Sequence, residues 1–210
     1  MHYLVIEGNI GAGKTTLVRM IARDFGARML LEGFGDNPFL PKFYEDQEKY
    51  AFPLEMSFLA DRYMQLSRNV AGPELFTSFL VSDYYFNKSL IFAENTLPAD
   101  EFRLYRQFFG IVYSKIPKPD LYVYLHVDEE KLLRNIRKRN RPYEQTISRE
   151  YLAKIRKGYF SFFRHHMEYP ILLIDINQID FVKNSEQYRA IIGHIFDQNY
   201  ENGVNRVLMS

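Results

Sequence analysis

The segment Gly8-Asn9-Ile10-Gly11-Ala12-Gly13-Lys14-Thr15 satisfies the spacing G-x-x-x-x-G-K-[ST], and no other stretch limits the possible folds so strongly. Before it stands His2 to Glu7, a short apolar run that reads as a buried strand. After it, Thr15 to Phe25 follows helical spacing, with Leu17, Ile21 and Phe25 on one face and Gly26 as the C-cap. Strand, glycine turn and helix in that order make an anion cradle. The glycines let backbone N–H groups point inward, and the helix offers its positive end to the same ligand. The expected ligand is ATP, enclosed by Gly8 through Thr16. Lys14 is expected on the β- and γ-phosphates and the Thr15 hydroxyl on magnesium.

Further along, short apolar runs alternate with helical patterns. Strands are expected at Met29 to Leu31, at Phe79 to Ser82 after a Gly72-Pro73 break, and at Leu121 to Val127 and Ile171 to Ile176. Helices are expected at Tyr50 to Asn69, with Pro53 near its first turn, and at Tyr84 to Glu94 and Asp100 to Lys115. Three more are expected at Glu129 to Lys138, Ser148 to about His165 and Ser185 to Tyr200. The pattern predicts one α/β domain over residues 1–210: a three-layer fold of the P-loop type, with a five-stranded parallel sheet and helices on both faces. A basic lid is expected over about 137–147, where Arg137, Lys138, Arg139 and Arg141 cluster.

Composition removes several function classes. A net charge of +1 argues against a nucleic-acid binder. The absence of cysteine rules out disulfides and thiolate zinc sites. No apolar run approaches the roughly 20 residues of a membrane span, and the strand at Tyr3 leaves no room for a signal peptide, so a cytoplasmic enzyme is expected. With 16 Tyr and 18 Phe the chain is rich in rings, which could fill a core or stack on a base. The adjacent His165 and His166 read as surface residues.

An ordered set of segments resembles the deoxynucleoside kinases. It comprises Ile10-Gly-Ala-Gly-Lys-Thr-Thr16, Asn37-Pro-Phe-Leu-Pro-Lys-Phe-Tyr44, Glu55-Met-Ser-Phe-Leu-Ala-Asp-Arg-Tyr63, Leu90-Ile-Phe-Ala93 and Glu144-Gln-Thr-Ile147 with Tyr151-Leu152. Val81-Ser-Asp-Tyr84 with Lys88-Ser-Leu-Ile-Phe-Ala93 is most similar to the bacterial deoxyguanosine and deoxyadenosine kinase branch. The resemblance implies transfer of the ATP γ-phosphate to the 5′-hydroxyl of a deoxynucleoside, usually by a homodimer.

On this resemblance Glu32, at the carboxyl edge of the sheet where ligands bind in open α/β folds, takes the 5′-hydroxyl proton. Tyr44 and Glu144 contact the sugar 3′-hydroxyl, and Arg139 and Arg141 serve as lid arginines that neutralise charge on the transferring phosphoryl group. Glu55 and Arg62, seven apart and on one helical face, occupy the base-recognition positions. A carboxylate accepts hydrogen bonds and so suits the N1–H and N2–H₂ donors of guanine. Asp83 ends the third strand, where an acidic residue could hold magnesium. Many relatives carry arginine directly after this acid, and this chain has Tyr84, so Lys88 or Arg62 is expected to stand in. The loop Asn177 to Phe181 resembles the one that packs on the ATP adenine. The helical stripe Phe102, Tyr105, Phe108, Phe109, Val112 and Tyr113 fits either a core or a dimer interface. Two rival readings remain at this stage: a thymidylate-type nucleotide kinase, which shares the fold, and a non-catalytic ATP-binding regulatory subunit.

Overall fold

The computed structural model describes residues 1–33, 37–69 and 79–209. The expected break at Gly72-Pro73 and the Asp36 end of the loop before Pro41 lie outside the described residues. The strands are β1 (Tyr3–Gly8), β2 (Arg28–Leu30), β3 (Leu80–Ser82), β4 (Leu121–His126), β5 (Pro170–Asp175) and β6 (Gly203–Leu208). The helices are α1 (Lys14–Phe25), α2 (Leu40–Glu45), α3 (Gln47–Asn69), α4 (Asn87–Thr96), α5 (Ala99–Tyr113), α6 (Glu129–Arg139), α7 (Arg149–Arg164) and α8 (Ser185–Phe196). One sheet has the order β2-β3-β1-β4-β5-β6, and every pair in it is parallel.

The sheet thus has six strands where the sequence reading expects five. The added strand, β6, lies at the edge beside β5 and alternates exposed with less exposed residues, leaving Val204 and Leu208 exposed. A half-solvated edge strand lacks the continuous apolar run that marks a buried one. The last helix stops at Phe196 rather than Tyr200, and Gly203, at φ 95°, turns the chain into β6. α3 begins one turn earlier than expected, so Pro53 lies inside the helix, where it removes a backbone donor.

Period-two alternation along each central strand sends residues to two cores. Tyr3 and Val5 of β1, Tyr122 and Tyr124 of β4, and Ile171 and Leu173 of β5 face α2, α3, α4, α5 and α7. Leu4 and Ile6, Leu121, Val123 and Leu125, and Leu172 and Ile174 face α1, α6 and α8. The first core absorbs most of the rings. Tyr85, Tyr122, Tyr124, Tyr159 and Tyr169 are fully buried there, with Tyr85 edge-on to Tyr169 at 5.7 Å between centroids. His166 is buried too, against Tyr169 at 4.0 Å, so it is not the surface residue expected; burial lowers its pKa. The α5 stripe divides. Tyr105 and Phe109 enter the core, whereas Phe108 joins Leu104 and Ile111 on the exposed side.

Candidate active site

Because the strands are parallel, the carboxyl ends of β1, β2 and β3 open on one edge of the sheet, and the polar residues gather there. The loop after β1 is shaped by glycines: Gly11 and Gly13 hold φ of 83° and 90°, where L side chains are strained. A Cβ on Gly11 would also stand 2.9 Å from the Leu132 carbonyl, because α6 presses on the loop. Asn9 fastens the loop from the other side. Its side chain accepts from Ile10 N at 2.8 Å and donates to the Leu152 carbonyl at 2.9 Å. Lys14 Nζ donates to the carbonyls of Gly8 and Asn9, at 2.9 and 3.0 Å. Burial and the neighbouring Lys88 charge bring its pKa down to about 8.

Glu32 follows β2 and is buried between two cations. Arg62 donates to Oε1 from Nε at 2.9 Å and from Nη2 at 2.5 Å, and Lys88 pairs with Oε2. Burial alone would favour the neutral acid, but Lys88 and then Arg62 override it and hold Glu32 at about 2. Its backbone N–H donates to Asp83 Oδ1 at 2.8 Å, and the other Asp83 oxygen accepts from Thr15 Oγ1. One chain of contacts therefore links phosphate loop, Asp83 and Glu32. Thr15 and Asp83, expected to share a metal, do meet.

Arg62, expected at the base or in place of the missing arginine, turns to Glu32. The sequence pairs it with Glu55 at the base, and both do face the same pocket. Its guanidinium is nevertheless spent on Glu32 and on Ser89 Oγ, at 2.7 Å, while stacking on Phe58. Lys88 heads the Lys88-to-Ala93 segment and is the other residue expected to replace the missing arginine. It is the second residue of α4, buried, with its ammonium over the Phe92 ring. A cation at a helix N-terminus opposes the macrodipole, so its placement needs a compensating partner, and Glu32 is that partner. Tyr84, in the place of the missing arginine, turns its hydroxyl to Gln65 Oε1 at 2.7 Å.

Glu55 lies 2% exposed in the pocket that Glu32 lines. Oε1 accepts from Thr96 Oγ1 at 3.1 Å, and Oε2 is buried without a hydrogen-bond partner among the described residues. Burial pushes its pKa up to about 7 against the weaker pull of Arg62. Tyr44, on α2, lines the same pocket, stacks on Tyr143 and has its hydroxyl pKa raised by burial.

The basic run is partly helical: Arg137 and Lys138, as expected, and Arg139, one residue beyond the expected end, form the last turn of α6, where cations suit the dipole. Asn140 in the left-handed conformation ends the helix, and Pro142–Glu144 makes a 3-10 turn. Glu144 binds both lid arginines, accepting from Arg139 Nη2 at 2.5 Å and from Arg141 Nη1 at 3.3 Å. Behind the lid a second cleft joins Gly11 through Thr16 to Asn177 through Phe181. Lys131 fixes that far wall by donating to the carbonyls of Ile176, Asn177 and Ile179 at 2.8–3.0 Å. Glu7, read from sequence only as strand, is buried under the loop. It accepts from Gly8 N, Tyr85 N and Tyr159 Oη at 3.0–3.1 Å, and burial raises its pKa.

A profile of the deoxynucleoside kinases matches residues 4–199. The chain is 34% identical over 197 residues to a deoxyguanosine kinase of Bacillus subtilis, covering 92% of this chain and 95% of that protein. It is 29% identical to a deoxyadenosine kinase of Lactobacillus acidophilus, covering 97% and 99%. A solved deoxyadenosine kinase of M. mycoides with bound products superposes with a TM-score of 0.81 at 22% identity, over 93% of this chain and all of that one. The chain belongs to the deoxynucleoside kinase family and is an enzyme that transfers phosphate to a deoxynucleoside.

Proposed function

We propose that the preferred acceptor is deoxyguanosine or another purine deoxynucleoside, phosphorylated at its 5′-hydroxyl from ATP for nucleotide salvage. The observation that carries the purine reading is Glu55, whose buried, unpartnered Oε2 belongs to the Glu32 pocket. Relatives named as deoxyguanosine and deoxyadenosine kinases support it.

Glu32 orients the 5′-hydroxyl. Oε1 gives both lone pairs to Arg62, whereas Oε2 keeps one beyond its contact to Lys88. An anion held at about 2 is a weak base, but a loose phosphoryl-transfer transition state needs alignment of the nucleophile more than early removal of its proton. Lys14, Arg139 and Arg141 face the phosphoryl group, and Tyr44 with Glu144 holds the sugar. Thr15 and Asp83, hard oxygen donors in contact, fit magnesium, which when bound offsets phosphate charge. The exposed Leu104, Phe108 and Ile111 of α5 form the face for a homodimer, and the enzyme is cytoplasmic. Among the described residues no helix is long and apolar enough to cross a membrane.

The test is a phosphorylation assay with four deoxynucleosides and deoxythymidylate, in ATP and magnesium. Deoxyguanosine should have the highest kcat/KM. A pyrimidine preference would overturn the purine reading, and turnover of deoxythymidylate alone would point to the nucleotide kinase.

A further inference from the structure

Glu55 is starved of donors. Among the described residues the only side-chain donor on it is the Thr96 hydroxyl, which has one proton and two claimants: Glu55 Oε1 at 3.1 Å and the Phe92 carbonyl at 2.9 Å. Oε2 has none. The groups around it do not repair this. Arg62, on the same helix, is engaged with Glu32 and Ser89. Lys88 of α4 is paired with Glu32. Tyr105 of α5 donates to the Glu55 backbone carbonyl at 3.4 Å. Tyr44 of α2 and Tyr151 of α7 are neutral phenols. A carboxylic acid would fit these surroundings better than a carboxylate, because its own proton can go to Thr96 Oγ1 while Thr96 donates to Phe92.

We infer that Glu55 reads two bases with its two protonation forms, guanine as the carboxylate and adenine as the carboxylic acid. This deepens the purine reading and rests on it. The carboxylate accepts from guanine N1–H and N2–H₂. The acid donates its proton to adenine N1 and accepts from the adenine amino group. Each mismatch sets like against like: the carboxylate faces the adenine N1 lone pair, and the acid O–H faces guanine N1–H. Burial places the exchange between the forms near neutrality.

The readout is the ratio of kcat/KM for deoxyguanosine to that for deoxyadenosine. Every ionisation common to both substrates cancels in it, leaving the ratio of carboxylate to acid at position 55. It should rise about tenfold per pH unit between pH 6 and 8 in wild type. In Glu55→Gln, with thermal unfolding confirming a folded protein, it should be flat. A flat wild-type ratio, an unchanged slope in Glu55→Gln, or deoxyadenosine unreactive at every pH overturns the inference while leaving the purine reading in place. If neither purine is phosphorylated, both fall.

Discussion

Glu32 and Glu55 line one pocket, and both side chains are out of water, yet the protein treats them oppositely. Glu32 lies between Arg62 and Lys88 and is held at about 2; Glu55 receives half a hydroxyl and rises to about 7. Burial is common to both, so the difference comes from where the cations are spent. Two of the pocket's cations, Arg62 and Lys88, go to the carboxylate beside Asp83 and the phosphate loop. In physical terms, the end that handles charge is locked ionised, and the end away from it is left adjustable.

Removing the locked carboxylate should have the largest effect. Glu32→Gln is expected to lower kcat by about 10²–10⁴-fold with nucleoside affinity largely kept. It also leaves two buried cations short of an anion, which costs about 3–5 kcal/mol of stability. In the wild type the Glu32 contribution is fully present above its unfolded pKa and is lost as pH falls toward about 2, so it is constant from pH 5 to 8. Wild-type turnover in a folded Glu32→Gln would exclude Glu32 from the chemistry.

Lys88→Met should come next, with kcat down about 10–100-fold and Lys88→Arg recovering part of it, since the charge returns. With one cation gone the Glu32 pKa rises, so the acid limb of the kcat profile should move to higher pH. An unmoved profile would mean that Arg62 alone sets the charge.

Glu55→Gln tests the adjustable end through stability. A raised acid pKa means the folded state holds its proton more tightly than the unfolded chain, so Glu55 costs stability progressively as pH rises from the unfolded value through about 7. The variant should therefore gain on wild type with pH, by up to about 3 kcal/mol at pH 8 and little at pH 5. Chemical denaturation at the two pH values measures it. A difference independent of pH would show that Glu55 is already ionised at pH 5.

How much of this was readable beforehand follows from sequence distance. The phosphate loop is contiguous, so its glycines, Lys14 and Thr15 announce themselves. Glu32 and Asp83 are legible because each ends an apolar strand, and parallel strands share an edge. The partner of Arg62 is not: helix spacing puts it on the face of Glu55 but says nothing of Glu32, thirty residues away in sequence. Lys88 was legible only as a stand-in for a missing arginine, and its target is set by how α4 docks on α3. Glu7 hid inside an apolar strand, and β6 hid because an edge strand needs no apolar run. Tyr122 and Tyr169 show the same limit, since composition could not separate core rings from ligand-stacking ones.

The smallest expected effect is the best control on the comparison. Ser89 is fully buried and accepts from Arg62 Nη1 at 2.7 Å, so Ser89→Ala strips one hydrogen bond from the locked end without touching a carboxylate. The cost should be about 1–2 kcal/mol, because a buried guanidinium N–H loses its acceptor. Arg62 stays charged and Glu32 stays ionised at every pH between 5 and 8, so neither form changes across that range. The Ser89→Ala penalty should therefore be the same at pH 5 and pH 8, in the same pocket where Glu55→Gln varies with pH. A Ser89→Ala penalty that instead followed pH would mean the two ends titrate together and that the cations are shared between them.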